Sequence, residues 1–352
     1  MKISALWLAP LAFLYGIVTR FRNYLYNIGY SRSFNYNIMV IAVGNLSAGG
    51  TGKSPMTEYL IRLLHHKYAL AALSRGYKRK SKGFLIANEY CTVDEIGDEP
   101  YQMYLKYNKV AKIAVGEERS IAIPNILLEH PETQIIIMDD GYQHRTVRPD
   151  YSVLLSDYNH LFFDDHLLPW GRLREAKVGA RRAQTVVITK CPANLSEQEQ
   201  TEITNKVRRY GGPDMLVFFS RIVYSKPKTV SGSNEPLDKV IGFAGLANTE
   251  LFESHLRDKF QLLEMASYND HYNYSTEDIN ELVKKAEKAG AALVTTEKDV
   301  VKFRDKQKIK LLNNIPLYYI AIEHQFIKDG NVFDEQIEDA ITDKYTEEEE
   351  DH

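Results

Sequence analysis

Cysteine is scarce in this chain. Its 352 residues include only Cys91 and Cys191. Two cysteines provide neither a disulfide framework nor the ligand spacing of a zinc site. The sequence therefore excludes a small disulfide-stabilised secreted protein, and a reducing compartment is the default expectation. The length is sufficient for a large core and for two α/β domains.

The one long apolar stretch is too short to cross a bilayer. Residues 3–19 carry no charge, but a spanning helix needs about 20 apolar residues, and Pro10 interrupts the run. A cleaved signal peptide is disfavoured because the charges follow the apolar run. An apolar stripe at helical spacing predicts instead a helix at the membrane interface, with docking on the protein's own core as the alternative. The stripe consists of Trp7, Leu11, Leu14, Val18, Phe21 and Leu25.

Acidic residues are almost missing from the first quarter of the chain. Residues 1–88 contain twelve Lys or Arg and one acid, Glu58, although the net charge of the whole chain is −3. A basic region of this kind suits nucleic acid, a phosphorylated substrate or an anionic membrane surface. No recognised nucleic-acid-binding module is present, so we expect no nucleic-acid partner.

A glycine-rich segment follows the apolar run 38–43 and ends in Gly-Lys-Ser. A strand, a glycine-rich turn and a helix in this order form a phosphate-binding loop, because backbone N–H groups and the helix N-terminus attract phosphate oxygens. The strict pattern has a glycine where this chain has Ser47. Lys53 is predicted to reach the phosphates and Ser54 to bind Mg²⁺. The predicted nucleotide-binding residues are Ser47, Ala48, Gly49, Gly50, Thr51, Gly52, Lys53 and Ser54.

Short β-branched runs alternate with amphipathic segments beyond residue 37. This alternation predicts an α/β fold with a mostly parallel sheet, covered by helices, and ligands at the carboxyl ends of the strands. A change of composition at 224–238, rich in Ser, Pro, Lys and Gly, indicates a linker to a second, smaller α/β unit. The predicted organisation is a membrane-associated helix at 1–30, a phosphate-loop core at 31–223, the linker at 224–238, the smaller unit at 239–340 and a disordered acidic tail at 341–352.

Three acids and one histidine are candidates for the chemistry. Asp139 ends the apolar run 135–138 and is the predicted Mg²⁺ carboxylate, although apolar runs ending in Asp are common at strand ends. Asp98 begins a helical pattern; it is either a helix cap or a carboxylate that orients an acceptor hydroxyl. His271 follows a strand-like segment and either shares a proton with a carboxylate or is simply exposed. Asp140 binds metal through water or positions a neighbour.

Basic and aromatic side chains follow several predicted strands. They lie in the segments 74–80, 141–145 and 169–175. Arginine forks suit phosphate groups. Three such loops at one sheet edge form a cationic site for an anionic acceptor, beside the basic N-terminal helix.

Taken together, these motifs resemble the tetraacyldisaccharide 4'-kinase family of lipid A biosynthesis. The resemblance covers nearly the whole chain. It rests on the N-terminal apolar helix and on the segments 44–54, 74–77, 97–100, 139–144, 171–175, 270–271 and 296–299. Ser47 in place of the first glycine is normal for that family's loop.

The resemblance implies an enzyme of the P-loop NTPase-like α/β/α class with a second α/β/α domain joined by a short β-stranded linker. It implies transfer of the γ-phosphoryl group of ATP, with Mg²⁺, to the 4'-hydroxyl of tetraacyldisaccharide 1-phosphate at the cytoplasmic face of the bacterial inner membrane, with lipid IVA as product. No obligate protein partner is implied. Lys53, Asp98 and His271 become catalytic residues, and Ser54 and Asp139 the metal site. Residues expected near the lipid headgroup are Arg75, Tyr77, His144 and Arg172.

Two rival functions fit part of the sequence. A membrane-associated ATPase or GTPase switch uses the same loop and Asp139, but it leaves the basic loops and Asp98 without a role. Nucleic-acid binding uses only the basic first quarter. The sequence leaves ATP and GTP as alternatives, because residues 296–299 could also belong to a base-contacting loop.

Overall fold

The fold contains eleven α-helices and fourteen strands within the part of the chain that the computed structural model describes, residues 7–231, 237–246, 248–303 and 306–350. The helices are α1 Ala9–Asn27, α2 Lys53–Leu64, α3 Val93–Ile96, α4 Asp98–Tyr107, α5 Arg119–Glu129, α6 Glu197–Gly211, α7 Glu250–Lys259, α8 Thr276–Ala289, α9 Glu297–Val300, α10 Lys306–Leu311 and α11 Gly330–Glu350. The strands are β1 Met39–Asn45, β2 Leu70–Ser74, β3 Leu85–Ile86, β4 Ala111–Val115, β5 Ile135–Asp139, β6 Tyr151–Asp157, β7 Thr185–Thr189, β8 Leu216–Tyr224, β9 Lys228–Ser231, β10 Lys239–Gly245, β11 Gln261–Tyr268, β12 Ala292–Thr296, β13 Leu317–Ile320 and β14 Ile322–Phe326.

A nine-stranded sheet forms the larger unit, in the order β14-β8-β7-β6-β1-β5-β2-β4-β3. Its seven central strands run parallel, and only the two edge strands β14 and β3 are antiparallel to their neighbours. All seven residues of β1 are buried. Alternate residues of this strand face opposite layers: Ile41 packs with α2 and α11, and Ala42 packs with α5. A parallel sheet covered on both faces needs such continuous apolar strands, so the predicted α/β class is confirmed.

A five-stranded sheet forms the smaller unit, in the order β11-β10-β12-β13-β9. Four strands are parallel, and β9 pairs antiparallel with β13. Phe243 of β10 packs on the α8 side, and Val240 packs against α7. This unit therefore has its own two-sided core.

The chain returns to the larger unit after β13, which corrects the predicted domain limits. After the single residue Ala321, β14 pairs with β8 of the nine-stranded sheet, and α11 packs on the larger core through Phe333 and Ile337. The smaller unit is thus inserted into the larger one and does not extend to residue 340. The two connections run side by side: the Ser225 N–H donates to the Ala321 carbonyl at 2.9 Å. Residues 232–236 of the predicted linker lie outside the described residues.

The predicted disordered tail is wrong for residues 341–350. The helix α11 extends to Glu350, and Ile341 is fully buried in the larger core. The last two residues of that prediction lie outside the described residues. An acidic composition pointed to a solvated chain, but one apolar side chain per turn is enough to dock such a helix.

The N-terminal helix α1 lies on the larger unit with its apolar stripe facing outwards. Pro10 lies in the first helical turn, where no backbone N–H is needed, so it starts the helix and does not interrupt it. Small residues, Ala12, Gly16 and Thr19, are buried against the protein. The alternative of docking on the protein's own core therefore holds for these small residues. It does not hold for the predicted stripe, because Leu14 and Val18 are 58% and 66% exposed. Within the described ranges, no helix combines the length and apolar character needed to cross a membrane. Residues 1–6 of the predicted segment 1–30 lie outside those ranges.

Candidate active site

The glycine-rich segment forms the turn between β1 and α2. Gly49 and Gly52 have φ values of 119° and 85°, a left-handed backbone that favours glycine. The next residue, Lys53, begins α2. The first N–H groups of a helix have no partner inside it, and together with the lysine they attract an anion.

Neighbouring strands hold this turn in place. The Thr189 hydroxyl at the end of β7 donates to the Thr51 carbonyl at 2.9 Å, and the Ala48 N–H donates to the Arg172 carbonyl at 2.7 Å. His324 of β14 lies 2.9 Å from the Gly52 carbonyl through Nε2. Burial lowers the pKa of His324 to about 4, so its ring is neutral and Nε2 carries the proton. The loop geometry therefore depends on the returning strand β14.

Hydroxyl and carboxylate oxygens from three elements meet beside the loop. Ser54 Oγ lies 2.7 Å from Glu99 Oε2 and 3.3 Å from Asp139 Oδ2. One hydroxyl proton cannot serve both carboxylates. Burial and the nearby Glu99 raise the pKa of Asp139 to about 7, although Lys53 opposes the shift. Hard oxygen donors with excess negative charge suit Mg²⁺, so these residues fit the predicted metal.

Asp140 lies next to the metal candidates but pairs with cations. Its carboxylate is 3.6 Å from Lys53 Nζ and 3.3 Å from Arg174 Nη1. Burial alone raises the pKa of Asp140, but Lys53 and Arg174 outweigh burial and hold it below its usual value. Of the two predicted roles, this geometry favours positioning a neighbour, namely Lys53.

Asp98 and His271, which are 173 residues apart in sequence, form a hydrogen-bonded pair between the two units. His271 Nδ1 lies 3.0 Å from Asp98 Oδ2, and Lys302 Nζ lies 3.3 Å from the same oxygen. Burial raises the pKa of Asp98, but His271 and Lys302 lower it more, so the carboxyl stays ionised below its usual range. Asp98 begins α4 without capping it through its side chain, so the helix-cap interpretation is wrong.

Lys298 joins the same group from the other side of His271. Its Nζ lies 3.3 Å from His271 Nε2, 2.8 Å from Asp270 and 3.8 Å from Glu99. Burial lowers the pKa of Lys298, but Glu99 and Asp270 outweigh burial and raise it. The smaller unit therefore presents two charged lysines, Lys298 and Lys302, to the acids at the start of α4.

Left-handed backbone recurs at strand ends around the site. Asp140, Lys190 and His271 follow β5, β7 and β11 with φ values of 54°, 58° and 61°. Residues with side chains avoid this region unless the surroundings enforce it, and such residues cluster at functional sites. Two of them contact the phosphate loop: Asp140 pairs with Lys53, and Lys190 donates to the Gly50 carbonyl. The third, His271, contacts Asp98.

The four predicted headgroup residues occupy loops of the larger unit. The Tyr77 ring is 63% exposed and lies 5.4 Å from the His271 ring. Burial and the nearby Arg119 lower the pKa of His144 to about 4, and the charge of Arg75 adds to that shift. Arg172 is exposed, and its backbone pairs with the phosphate loop. Tyr77 therefore adjoins the Asp98–His271 pair, whereas Arg75 and His144 group with Arg119.

Sequence reasoning missed four charged residues of this site. Glu99 is the second acid of its motif, and that neighbouring position was the available signal. Arg119 begins α5, just after β4; its Nε and Nη2 atoms are buried and, within the described residues, have no hydrogen-bond partner. Lys298 belongs to the segment 296–299, but Lys302 lies outside any recognised motif. The proximity of Lys298 and Lys302 to Asp98 depends on the packing of the two units, which no local pattern reveals.

A phosphate loop, a buried carboxylate at the end of the neighbouring strand and a carboxylate–histidine pair over the loop define a P-loop phosphotransferase. The family model described as tetraacyldisaccharide-1-P 4'-kinase, LpxK, matches residues 4–342. The chain belongs to this kinase family.

Similar proteins agree with this assignment. A tetraacyldisaccharide 4'-kinase of Flavobacterium johnsoniae is 41% identical over 335 residues, which are 94% of this chain and 95% of that protein. A protein of the same name from Bacteroides thetaiotaomicron is 39% identical over 84% of this chain and 82% of its own length. A crystal structure of LpxK from Aquifex aeolicus in complex with ATP covers 96% of this chain and all of its own, with 26% identity and a TM-score of 0.74.

Proposed function

We propose that this kinase transfers the γ-phosphoryl group of ATP to the 4'-hydroxyl of tetraacyldisaccharide 1-phosphate, the step that yields lipid IVA. The family assignment supports the reaction, and the Asp98–His271 pair beside the phosphate loop carries the proposal. A nucleotide switch needs only a loop and a metal carboxylate. A kinase also needs a group that orients the acceptor hydroxyl, and Asp98 fits that need.

The larger unit binds the nucleotide phosphates in this proposal. Backbone N–H groups of the loop and Lys53 neutralise phosphate oxygens, while Asp140 holds the lysine in place. Ser54 and Asp139, with Glu99, would hold Mg²⁺. The metal, when bound, offsets charge that develops on the transferred group and the leaving ADP.

The pair at the start of α4 acts on the acceptor. Asp98 is ionised, accepts a hydrogen bond from the 4'-hydroxyl and takes its proton as the new P–O bond forms. His271 orients this carboxylate and shares the proton. Lys298 and Lys302 of the smaller unit keep the pair in its charge state and add positive charge near the transferred group.

The lipid approaches from the side of α1. The exposed apolar face of this helix and a cavity of about 660 Å³ between α1 and the segment 165–178 lie on one side of the molecule. Acyl chains stay in the bilayer because exposing them to water costs roughly 25 cal/mol per Å². We therefore propose a peripheral or monotopic location at the cytoplasmic face of the inner membrane. Arg75, Tyr77, His144 and Arg172 then contact the anionic headgroup.

A direct assay tests the reaction. The purified protein is mixed with γ-labelled ATP, Mg²⁺ and tetraacyldisaccharide 1-phosphate in detergent micelles, and labelled lipid is separated from free phosphate. Wild-type protein is expected to label the lipid, and Lys53→Ala and Asp98→Ala to lose that product. Label found only as free phosphate identifies a nucleotide switch instead and contradicts the proposal.

A further inference from the structure

A buried charged cluster, separate from the Asp98–His271 pair, joins the two units. We call it the interdomain cluster; it consists of Glu58 of α2, Gln102 and Lys106 of α4, and Glu297 of α9. Glu58 and Glu297 are only 2% and 7% exposed. None of these residues touches the oxygens proposed to hold the metal.

One lysine and one amide donate hydrogen bonds to both carboxylates. Lys106 Nζ donates to Glu58 Oε2 and, at 2.9 Å, to Glu297 Oε2. Gln102 Nε2 donates to Glu58 at 3.0 Å and to Glu297 at 2.9 Å. Two side chains of α4 therefore bridge the larger unit to the smaller one.

Because these charges are buried, the two units are held in one relative position. Burial raises the pKa of Glu58, while Lys106 opposes the shift. Burial lowers the pKa of Lys106, but Glu58 and Glu297 outweigh burial and raise it. A displacement that stretches these contacts while the carboxylates stay shielded from water is far costlier than stretching a surface ion pair.

Each of the three helices begins at the active site. Lys53 and Asp98 are the first residues of α2 and α4, and Glu297 begins α9 just before Lys298. Gln102 lies four residues after Asp98, about 6 Å along the helix. A shift of α9 relative to α4 therefore moves Lys298 and Lys302 relative to the acids that they contact.

We propose that Lys106, acting through Glu297, is a positioning residue for phosphoryl transfer. It holds the smaller unit at the distance at which His271 and Lys302 meet Asp98. Gln102 supports the same contact. Neither residue is in contact with the phosphate loop, so ATP binding by the larger unit does not need them.

Glu297→Gln is the most informative variant, because it removes the charge between the units while Lys106 and Glu58 stay paired. The expected result is a kcat for lipid phosphorylation about 10- to 100-fold lower, as small misplacements of catalytic groups produce, with an unchanged KM for ATP. Glu264→Gln is the matched control, because Glu264 pairs with Lys285 at 2.7 Å within the smaller unit and in an exposed position.

Two further variants test the path through Lys106. Lys106→Arg should recover most of the activity that Lys106→Met loses. Combining Lys106→Met with Glu297→Gln should cost little more than the larger single loss, because the two residues act through one contact. An unchanged kcat in Glu297→Gln, an equal loss in Glu264→Gln, or a loss that lies wholly in the KM for ATP would overturn the proposal.

The inference rests on the proposed transfer reaction. A second measurement distinguishes a failure of the positioning role from a failure of the transfer reaction. Hydrogen exchange measured without substrate should be faster in Glu297→Gln for peptides covering His271 and 296–303, and unchanged for β1 and α2. Wild-type protein that labels no lipid refutes the transfer, whereas unchanged exchange refutes the positioning contact.

Discussion

Asp139 illustrates how a single residue carries opposite requirements of folding and function. It is buried, and its carboxylate faces Glu99 across the Ser54 hydroxyl. The raised pKa, about 7 against an ordinary value of 3.8, means that the folded protein binds a proton that the unfolded chain has already released. The free energy of unfolding contributed by this residue therefore falls as pH rises from about 4 to 7.

The variant Asp139→Asn is therefore expected to be more stable than wild type when no metal is present. At pH 8 the gain in free energy of unfolding should be about 3–4 kcal/mol, because each unit of the pKa shift corresponds to about 1.4 kcal/mol, and it should shrink towards pH 4, where the wild-type carboxyl is protonated. Urea denaturation at both pH values, with a chelator present, measures the difference. The same variant should lose lipid phosphorylation. A gain that is equal at the two pH values would contradict the assigned shift.

Lys302 should set the charge state of Asp98 from the opposite unit. Removing its charge in Lys302→Met is expected to raise the pKa of Asp98, because one of the two groups that lower it is lost. The acid limb of the pH profile of kcat should then move to higher pH, with a lower maximum. Lys284→Met, on an exposed position of α8, is the control. An unmoved acid limb would show that Lys302 does not act through Asp98.

At the scale of the element, α1 has two distinct faces. Small residues dock it on the larger unit, and Tyr15 and Asn23 bind the Arg174 carbonyl and the Glu175 carboxylate at 2.7 and 2.8 Å. The large apolar residues point outwards and make a contiguous exposed patch, which in soluble proteins marks a binding surface. Deleting the helix would disturb both faces, so substitutions on the outer face are the cleaner test.

The triple variant Leu11→Ser, Leu14→Ser and Val18→Ser should fold normally but bind vesicles poorly. Each side chain contributes about 1.5–3 kcal/mol when it is buried in an apolar medium, so recovery with anionic vesicles should fall at least 100-fold. The KM for ATP should not change. Co-sedimentation with vesicles and lipid kinetics measure the two effects. Wild-type recovery in the triple variant would refute a membrane-facing α1.

The helix α11 provides a test of the corrected tail. Ile341→Ala should lower the free energy of unfolding by about 2–4 kcal/mol, as for other large-to-small changes in a core, because Ile341 is fully buried. Asp343→Ala, two residues further and exposed, should have little effect. Denaturant unfolding of both variants distinguishes a docked helix from a solvated tail, for which both changes would be neutral.

These elements also show how far the sequence could be used to predict structure. The phosphate loop and β5 ending at Asp139 were predictable because their signals are local: a glycine turn and an apolar run. The return of β14 and α11 to the larger unit was not, because its partner β8 lies about a hundred residues earlier. The contact of Lys302 with Asp98 was missed for the same reason. The roles of the site residues stay predictions until the variants are assayed.

At the scale of the whole molecule, the smaller unit is an insertion with closely spaced ends. The chain leaves the larger unit after β8 and returns at β14, and Ser225 and Ala321 are hydrogen bonded to each other through backbone and side chain. The smaller unit supplies His271, Lys298 and Lys302, and the larger unit supplies the loop and Asp98. In the proposed mechanism nucleotide binding therefore belongs to the larger unit, whereas activation of the acceptor is shared between the two units, which the interdomain cluster holds together.

Removing the insertion should separate these two activities. A chain in which a short turn replaces residues 226–320 keeps β14, and with it the His324 contact to the phosphate loop. It is expected to fold and to bind ATP with Mg²⁺ with an affinity within about tenfold of wild type, because the phosphate contacts are local to the loop. It should transfer no phosphoryl group to lipid.

Calorimetric titration with a non-hydrolysable ATP analogue and the lipid assay measure these two properties of the shortened chain, nucleotide binding and phosphoryl transfer. A matched deletion that also removes 321–350 should fail to fold, since it takes β14 and the buried face of α11 from the core. If the shortened chain folds but does not bind the nucleotide, the smaller unit contributes to the ATP site itself. The proposal that the larger unit alone binds the nucleotide is then wrong.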